Sequence, residues 1–114
     1  MPRVIHFEIH ADNPDRAVKF HQRVFGWKPE KAQGVTDYWL VSTGEKTDPG
    51  MDGAIMKRMN KETTRNTIDV PSVDEFIKKV LKAGGKVIQQ KTPIPGVGYW
   101  ALCTDPEETI SASC

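Results

Sequence analysis

The sequence predicts an α+β protein in which one βαβββ module occurs twice, and three observations predict it. Two helical stretches carry matched punctuation 59 residues apart: Asn13-Pro14 opens the first and Gly26 closes it, while Ser72-Val73 opens the second and Gly85 closes it. Two aromatic strands match at an offset of 61, Tyr38-Trp39-Leu40-Val41-Ser42-Thr43 and Tyr99-Trp100-Ala101-Leu102-Cys103-Thr104. Short strand-like segments fill the intervals in the same order in both halves. A repeat of this length means two supersecondary units, neither able to bury its apolar face alone. Function is therefore expected where the two units face each other.

The elements follow in order. Arg3 to Ala11 alternates, with His6, Glu8 and His10 on one face and Phe7 and Ile9 on the other. Asn13 caps the first helix, Pro14 suits its first position and Asp15 complements its dipole. Ala17, Phe20, His21, Val24 and Phe25 follow the i, i+3, i+4, i+7, i+8 spacing of one buried stripe. Residues 27–31, the aromatic strand 36–43 and 52–57 complete the first module. The polar stretch from Arg58 lacks a pattern and reads as a linker, so module one is 1–57, the linker 58–65 and module two 66–114.

In module two, 67–70 is the opening strand. Ser72 and Glu75 form a capping box worth roughly 1 kcal/mol. Val73, Phe76, Ile77, Val80 and Ala83 form the stripe, and Gly84-Gly85 supplies a positive-φ stop. Strands at 86–90, 98–104 and 109–113 complete the module.

Composition sets the class. A chain of 114 residues, 38% hydrophobic and 27% charged, is one ordinary globular domain. A net charge of +1 carries no electrostatic footprint for nucleic acid or an anionic membrane. Met1-Pro2-Arg3-Val4-Ile5-His6 lacks the apolar core of a signal peptide, and no stretch of 18 apolar residues exists. Cys103 and Cys114 form no C-x-x-C, and a turn at 105–108 would set Cys103 opposite Ile110. A reduced pair in a cytoplasmic protein is expected.

His6-Phe7-Glu8-Ile9, then Asp12-Asn13-Pro14-Asp15-Arg16-Ala17, then Phe25-Gly26-Trp27 resemble the start of a vicinal oxygen chelate protein. That superfamily includes glyoxalase I, bleomycin-resistance proteins and extradiol dioxygenases. Ala83-Gly84-Gly85-Lys86-Val87, Ile94-Pro95-Gly96-Val97-Gly98-Tyr99 and Asp105-Pro106-Glu107 are similar to its second half. The best match is a glyoxalase-related subgroup of mostly undefined role. The resemblance implies a glyoxalase/bleomycin-resistance/dioxygenase-type fold, with a curled mixed sheet around a cleft. It also implies pairing, since relatives of this size commonly form homodimers, and short terminal strands leave sheet edges to protect.

The superfamily's chemistry uses a divalent metal held by His, Glu or Gln on the first and last strands of each unit, acting as a Lewis acid on vicinal oxygens. The resemblance places the first-strand donor at His6. The second unit's counterpart falls at Arg65, Asn66 or Thr67, none a good ligand, and the last-strand Glu falls at Ala112. The usual Gly-Asn turn is replaced by Glu108-Thr109. A non-glycine at positive φ there costs roughly 1–2 kcal/mol.

On residue chemistry, His6-x-Glu8-x-His10 is better read as a polar lining than as a ligand set. Alternate strand residues lie ~6.6–6.8 Å apart, too far for all three to reach one tetrahedral ion with ligands near ~2.1 Å. His21 reads as a hydrogen-bonded core histidine rather than a catalyst. Lys57, Arg58, Lys61 and Arg65 read as a solvated linker, and Gly96 with Gly98 as a turn, since no helix follows. Two functions remain. One is a small-molecule binder lacking the full metal site, its cleft lined by His6, Glu8, Trp39 and Trp100. The other is a metal-dependent lyase, isomerase or dioxygenase using His6, Glu8 and His10.

Overall fold

The computed structural model describes residues 2–32, 37–96 and 98–113. Thr36, Val97 and Cys114, which figure in the sequence reading, lie outside the described residues. The chain divides into two compact units, His6–Arg65 and 1–5 together with 66–114.

The first unit contains β1 (Arg3–Ala11) from His6 onward, α1 (Pro14–Phe25), β2 (Lys28–Lys31), β3 (Tyr38–Ser42) and β4 (Gly53–Lys57). Its strands lie in the order β2-β3-β4-β1, with β1 parallel to β4 and the other pairs antiparallel. The second contains β5 (Thr64–Asp69) from Asn66 onward, α2 (Val73–Lys82), β6 (Lys86–Ile94), β7 (Gly98–Thr104) and β8 (Ile110–Ser113). Its order is β5-β8-β7-β6, with β5 parallel to β8 and the rest antiparallel. Each is a βαβββ module, and the two orders are the same topology written twice.

The helix starts form as the caps require. Asn13 Oδ1 accepts from Arg16 N at 3.2 Å, and Ser72 Oγ accepts from Glu75 N at 3.3 Å. The Glu75 carboxylate lies 3.8 Å from Lys78 Nζ. At the ends the halves differ. Gly26 holds the left-handed conformation (φ 73°), whereas in the second unit Gly84, not Gly85, has positive φ (94°). Gly85 is required for space: a Cβ there would stand 2.5 Å from Thr104 O and 2.7 Å from Val80 Cγ1.

The α1 stripe is not the buried one. Phe20, Val24 and Phe25 are more than half exposed, at 57, 54 and 60%, while Pro14 and Val18 are buried. The helix sits on its sheet through a set turned toward Pro14, Ala17 and Val18. These residues keep the same i, i+3, i+4 spacing, so periodicity alone does not choose between the stripes. Val18, Val41 and Ile55 form the core of this unit, with Phe7, Ile9, Ala17, Trp27 and Trp39 packed against it. Gly53 is where β4 passes beneath Phe7, whose ring would lie 2.5 Å from an added Cβ. In the second unit Val70, Val73 and Ala101 form the core with Ile68, Phe76 and Ile77.

The hairpin before β8 differs by one residue from expectation: Cys103 pairs with Ser111, and Thr104 with Ile110. Asp105 absorbs the extra residue, its Oδ1 accepting from both Glu107 N and Thr109 N at 2.9 Å. Glu108 is left at φ 64°, so the turn keeps a glycine-like conformation without glycine. Two substitutions should therefore have opposite signs in urea denaturation. Gly53→Ala should cost about 1–3 kcal/mol by overpacking Phe7. Glu108→Gly should gain up to about 1 kcal/mol, relief of left-handed strain less the added freedom of the unfolded chain.

Candidate functional site

Alternation along two strands builds the site. Phe7 and Ile9 belong to the core under α1, which turns His6, Glu8 and His10 to the helix-free face of the sheet. On β3, Trp39 and Val41 belong to that same core, so Tyr38 shares the helix-free face. Its hydroxyl donates to Glu8 Oε2 at 2.8 Å, and His6 Nε2 lies 3.4 Å from the hydroxyl oxygen. His10 Nε2 lies 3.2 Å from Glu8 Oε1.

The segment after β4 supplies the rest. Arg58 N donates to Ala11 O at 2.9 Å, and His10 N donates to Thr63 O at 2.8 Å. These bonds lay the chain back along the end of β1 and carry Glu62 and Arg65 to Glu8. Arg65 Nη1 lies 3.6 Å from Glu8 Oε1. Arg65 Nε donates to Glu62 Oε2 at 2.9 Å and Nη2 to Glu62 Oε1, a two-pronged pair. Asn60 Nδ2 donates to the same Glu62 oxygen at 3.0 Å.

This stretch is thus no solvated linker. The side chains of Glu8, Arg65, Glu62 and His10 are only 13, 12, 7 and 0% exposed, and Arg65 stands in β5. The outer part does behave as a surface segment: Lys57 Nζ donates to Asp12 O, and Arg58 pairs with Asp12 while donating to His10 O. Burial pushes the Glu62 carboxyl up, but hydrogen bonds from Arg65 and Asn60 and the Arg65 charge hold it below the usual range. The hydrogen bond to Glu62 raises Arg65 against desolvation, helped by the charges of Glu62 and Glu8. His10 Nδ1 and Arg58 Nε are buried without a hydrogen-bond partner among the described residues.

The donor set does not fit the superfamily's metal. Both Glu8 oxygens are engaged, one by the Tyr38 hydroxyl and the other by His10 and the Arg65 cation. Of the three second-unit candidates, Arg65 is a cation, and Asn66 is exposed, on the face of β5 opposite Arg65 and Thr67. Thr67 is buried, its Cα opposite that of Ala112. Among the described residues no three His, Cys, Asp or Glu side chains converge as ligands. What the arrangement holds instead is a hydrogen-bonded chain, with Tyr38 donating to Glu8 and His6 Nε2 beside the Tyr38 hydroxyl.

The other candidates are placed as follows. Trp39 packs in the core beneath α1, with Lys31 Nζ 5.7 Å from its ring, away from the Glu8 face. Trp100 alternates with core-facing Ala101 and so lies on the helix-free face of its own sheet. His21 is a packed histidine, its Nδ1 donating to Ala17 O at 2.8 Å and its ring stacked 4.9 Å from Trp27. Tyr38, Glu62 and Arg65 were not singled out as site residues from the sequence. The alternation of Trp39 with Val41 carried a signal for Tyr38. Glu62 and Arg65 had only their i, i+3 spacing in a polar stretch. A separate cavity of about 470 Å³ is walled by the 43–52 loop, including Thr43, Asp48 and Asp52, and touches none of this network.

Two βαβββ modules with a polar first-strand face define a vicinal oxygen chelate protein. The profile of the Glyoxalase-like domain family matches residues 6–109, and the chain belongs to that family. A search of curated proteins finds no match. Among solved structures, the chain is similar to a hypothetical protein from Bacillus halodurans C-125 at 12% identity and a TM-score of 0.70, covering 99% of this chain and 93% of that one. An NAD-dependent benzaldehyde dehydrogenase from Legionella pneumophila aligns at 18% identity and a TM-score of 0.66, covering 95% of each chain. A Streptomyces coelicolor methylmalonyl-CoA epimerase variant in complex with 2-nitronate-propionyl-CoA aligns at 14% identity and 0.67, covering 97% and 94%. At these identities the likeness concerns the fold.

The Glu62–Arg65 pair makes a pH-dependent prediction. Because the folded-state value of Glu62 is depressed, its stabilisation is present above the ordinary carboxyl value of 4.5 and is lost as pH falls through the lower folded value. Glu62→Gln should cost about 2–3 kcal/mol at pH 7, less than a fully buried pair because Arg65 keeps Glu8. The difference between the two proteins in chemical denaturation should shrink steadily below pH 4.5.

Proposed function

We propose that this protein binds a small molecule on the face formed by His6, Glu8 and Tyr38, without the superfamily's full metal site. The observation that carries this reading is the engagement of Glu8: its carboxylate is committed to Tyr38, His10 and Arg65. A ligand here meets an imidazole and a phenol, with exposed Leu40 on the same strand face as Tyr38. On this sheet the aromatic wall is Tyr38, while Trp100 is a candidate wall in the second unit.

Calorimetric titration of untagged protein with zinc, nickel, manganese and iron(II) tests the reading. The expected result is weak binding unaffected by His6→Ala. Submicromolar binding abolished by that substitution would overturn it in favour of a metal-dependent lyase, isomerase or dioxygenase.

The same reading includes a homodimer in the cytoplasm. Exposed Phe20, Val24 and Phe25 on α1 support a covered apolar face, and the free, buried Cys103 suits a reducing compartment. No helix among the described residues is long and apolar enough to cross a membrane. Light scattering at micromolar concentration should give twice the chain mass of 12.8 kDa, and a value near 12.8 kDa would rule the dimer out.

A further inference from the structure

We infer that His6 meets the ligand through a bare Nδ1, a hydrogen-bond acceptor, so that the site selects a molecule whose contact group is a donor and not an anion: a hydroxyl or an ammonium on an apolar body. The inference rests on the small-molecule reading above and adds the chemistry of the group recognised.

The tautomer follows from the partners of one hydroxyl. A carboxylate only accepts, and a phenol has a single proton to donate. The Tyr38 hydroxyl donates to Glu8 Oε2 at 2.8 Å, which leaves its oxygen only an acceptor toward His6 Nε2 at 3.4 Å. An unprotonated Nε2 there would set two lone pairs against each other. A neutral His6 therefore carries its proton on Nε2 and its lone pair on Nδ1. Nδ1 makes no hydrogen bond among the described residues, and His6 is half-buried. His21 is the opposite case, since its Nδ1 faces the Ala17 carbonyl at 2.8 Å and must hold the proton.

The surrounding charge disfavours anions. One guanidinium serves two carboxylates: Arg65 Nη1 lies 3.6 Å from Glu8 Oε1, and the same side chain grips both oxygens of Glu62. One positive and two negative charges leave this group net negative, and side-chain exposures of 7–13% give water little access to screen it. A ligand carboxylate or phosphate beside His6 adds a like charge. The apolar body has a seat on the same face. Glu8 and Leu40 flank Ala54 from either side, which sets the three in one row across β1, β4 and β3. Two strand spacings, about 9–10 Å, separate Glu8 from Leu40, and Leu40 is 43% exposed. A small ring lying along this row meets Leu40 with one edge and offers its substituent to His6.

The test has two readouts on untagged protein, in chelator at about pH 8, where an ordinary imidazole is neutral. The first is the tautomer, from long-range proton–nitrogen correlation spectra of nitrogen-15-labelled protein. His6 should be protonated on Nε2 and His21 on Nδ1, with the His6 signals identified by their loss in His6→Phe. Protonation of His6 on Nδ1 overturns the inference. The second is titration with four probes sharing one ring: benzyl alcohol, benzylammonium, benzyl methyl ether and phenylacetate. The alcohol or the ammonium should bind at least about fivefold tighter than the ether, the worth of one hydrogen bond, and phenylacetate should bind most weakly. His6→Phe, or His6→Leu if the first does not fold, should erase the preference. Equal affinity for donors and ether, tightest binding of phenylacetate, or a preference that survives the His6 substitution overturns the inference. So does the absence of saturable binding by all four at millimolar concentration. Submicromolar metal binding abolished by His6→Ala would instead overturn the metal-free reading, and the titrations in chelator do not depend on it, so the two failures are distinct.

Discussion

Two carboxylates held out of water around one guanidinium constrain the first unit. Glu8 is on the first strand, Glu62 lies just before β5 and Arg65 within it. Burying Glu8 beside hydrophobic strands would be unfavourable without a fixed cation. Arg65 is fixed in turn by Glu62, and Glu62 by Asn60. The segment that carries them is laid against β1 by main-chain bonds from His10 to Thr63 and from Arg58 to Ala11. A connector between modules thereby becomes part of the site, and its charges cannot be exchanged as surface charges can.

The two modules share a topology but solve local problems differently. Gly26 ends α1 by adopting positive φ, with nothing within 4 Å of where a Cβ would stand. After α2 the two roles are divided: Gly84 takes the positive φ, and Gly85 allows the chain to pass Val80 and Thr104. The turn before β8 keeps a left-handed residue although it is Glu108. Asp105 holds the turn with two main-chain bonds and so sustains that strain.

What was legible in the sequence was what depends on short-range pattern. The capped starts of both helices and the two faces of β1 follow from local spacing, and so does the repetition of the module. The α1 stripe was misjudged because Ala17, Phe20, His21, Val24 and Phe25 follow helical spacing just as Pro14, Ala17 and Val18 do, and only the sheet beneath selects between the two sets. The one-residue slip at Cys103 depends on the Asp105 turn, whose bonds are not encoded in alternation. The network was least visible. Glu62 and Arg65 are surface-type residues in an unpatterned stretch, and their burial exists only because Glu8 lies within reach.

Glu8 also determines what chemistry remains. A carboxylate with one oxygen on a tyrosine hydroxyl and the other on an imidazole and a guanidinium has little capacity left for a Lewis acid. Yet it orients everything around it. The Tyr38 hydroxyl donates a hydrogen bond to Glu8, and His6 Nε2 lies 3.4 Å from the hydroxyl oxygen. A ligand entering beside His6 therefore meets one end of a hydrogen-bonded chain whose other end is anchored by Arg65 and Glu62. Such a chain polarises cooperatively, and it places the negative charge one residue behind the groups that touch the ligand. This face thus presents an imidazole and a phenol, with the cation that compensates Glu8 built into the chain.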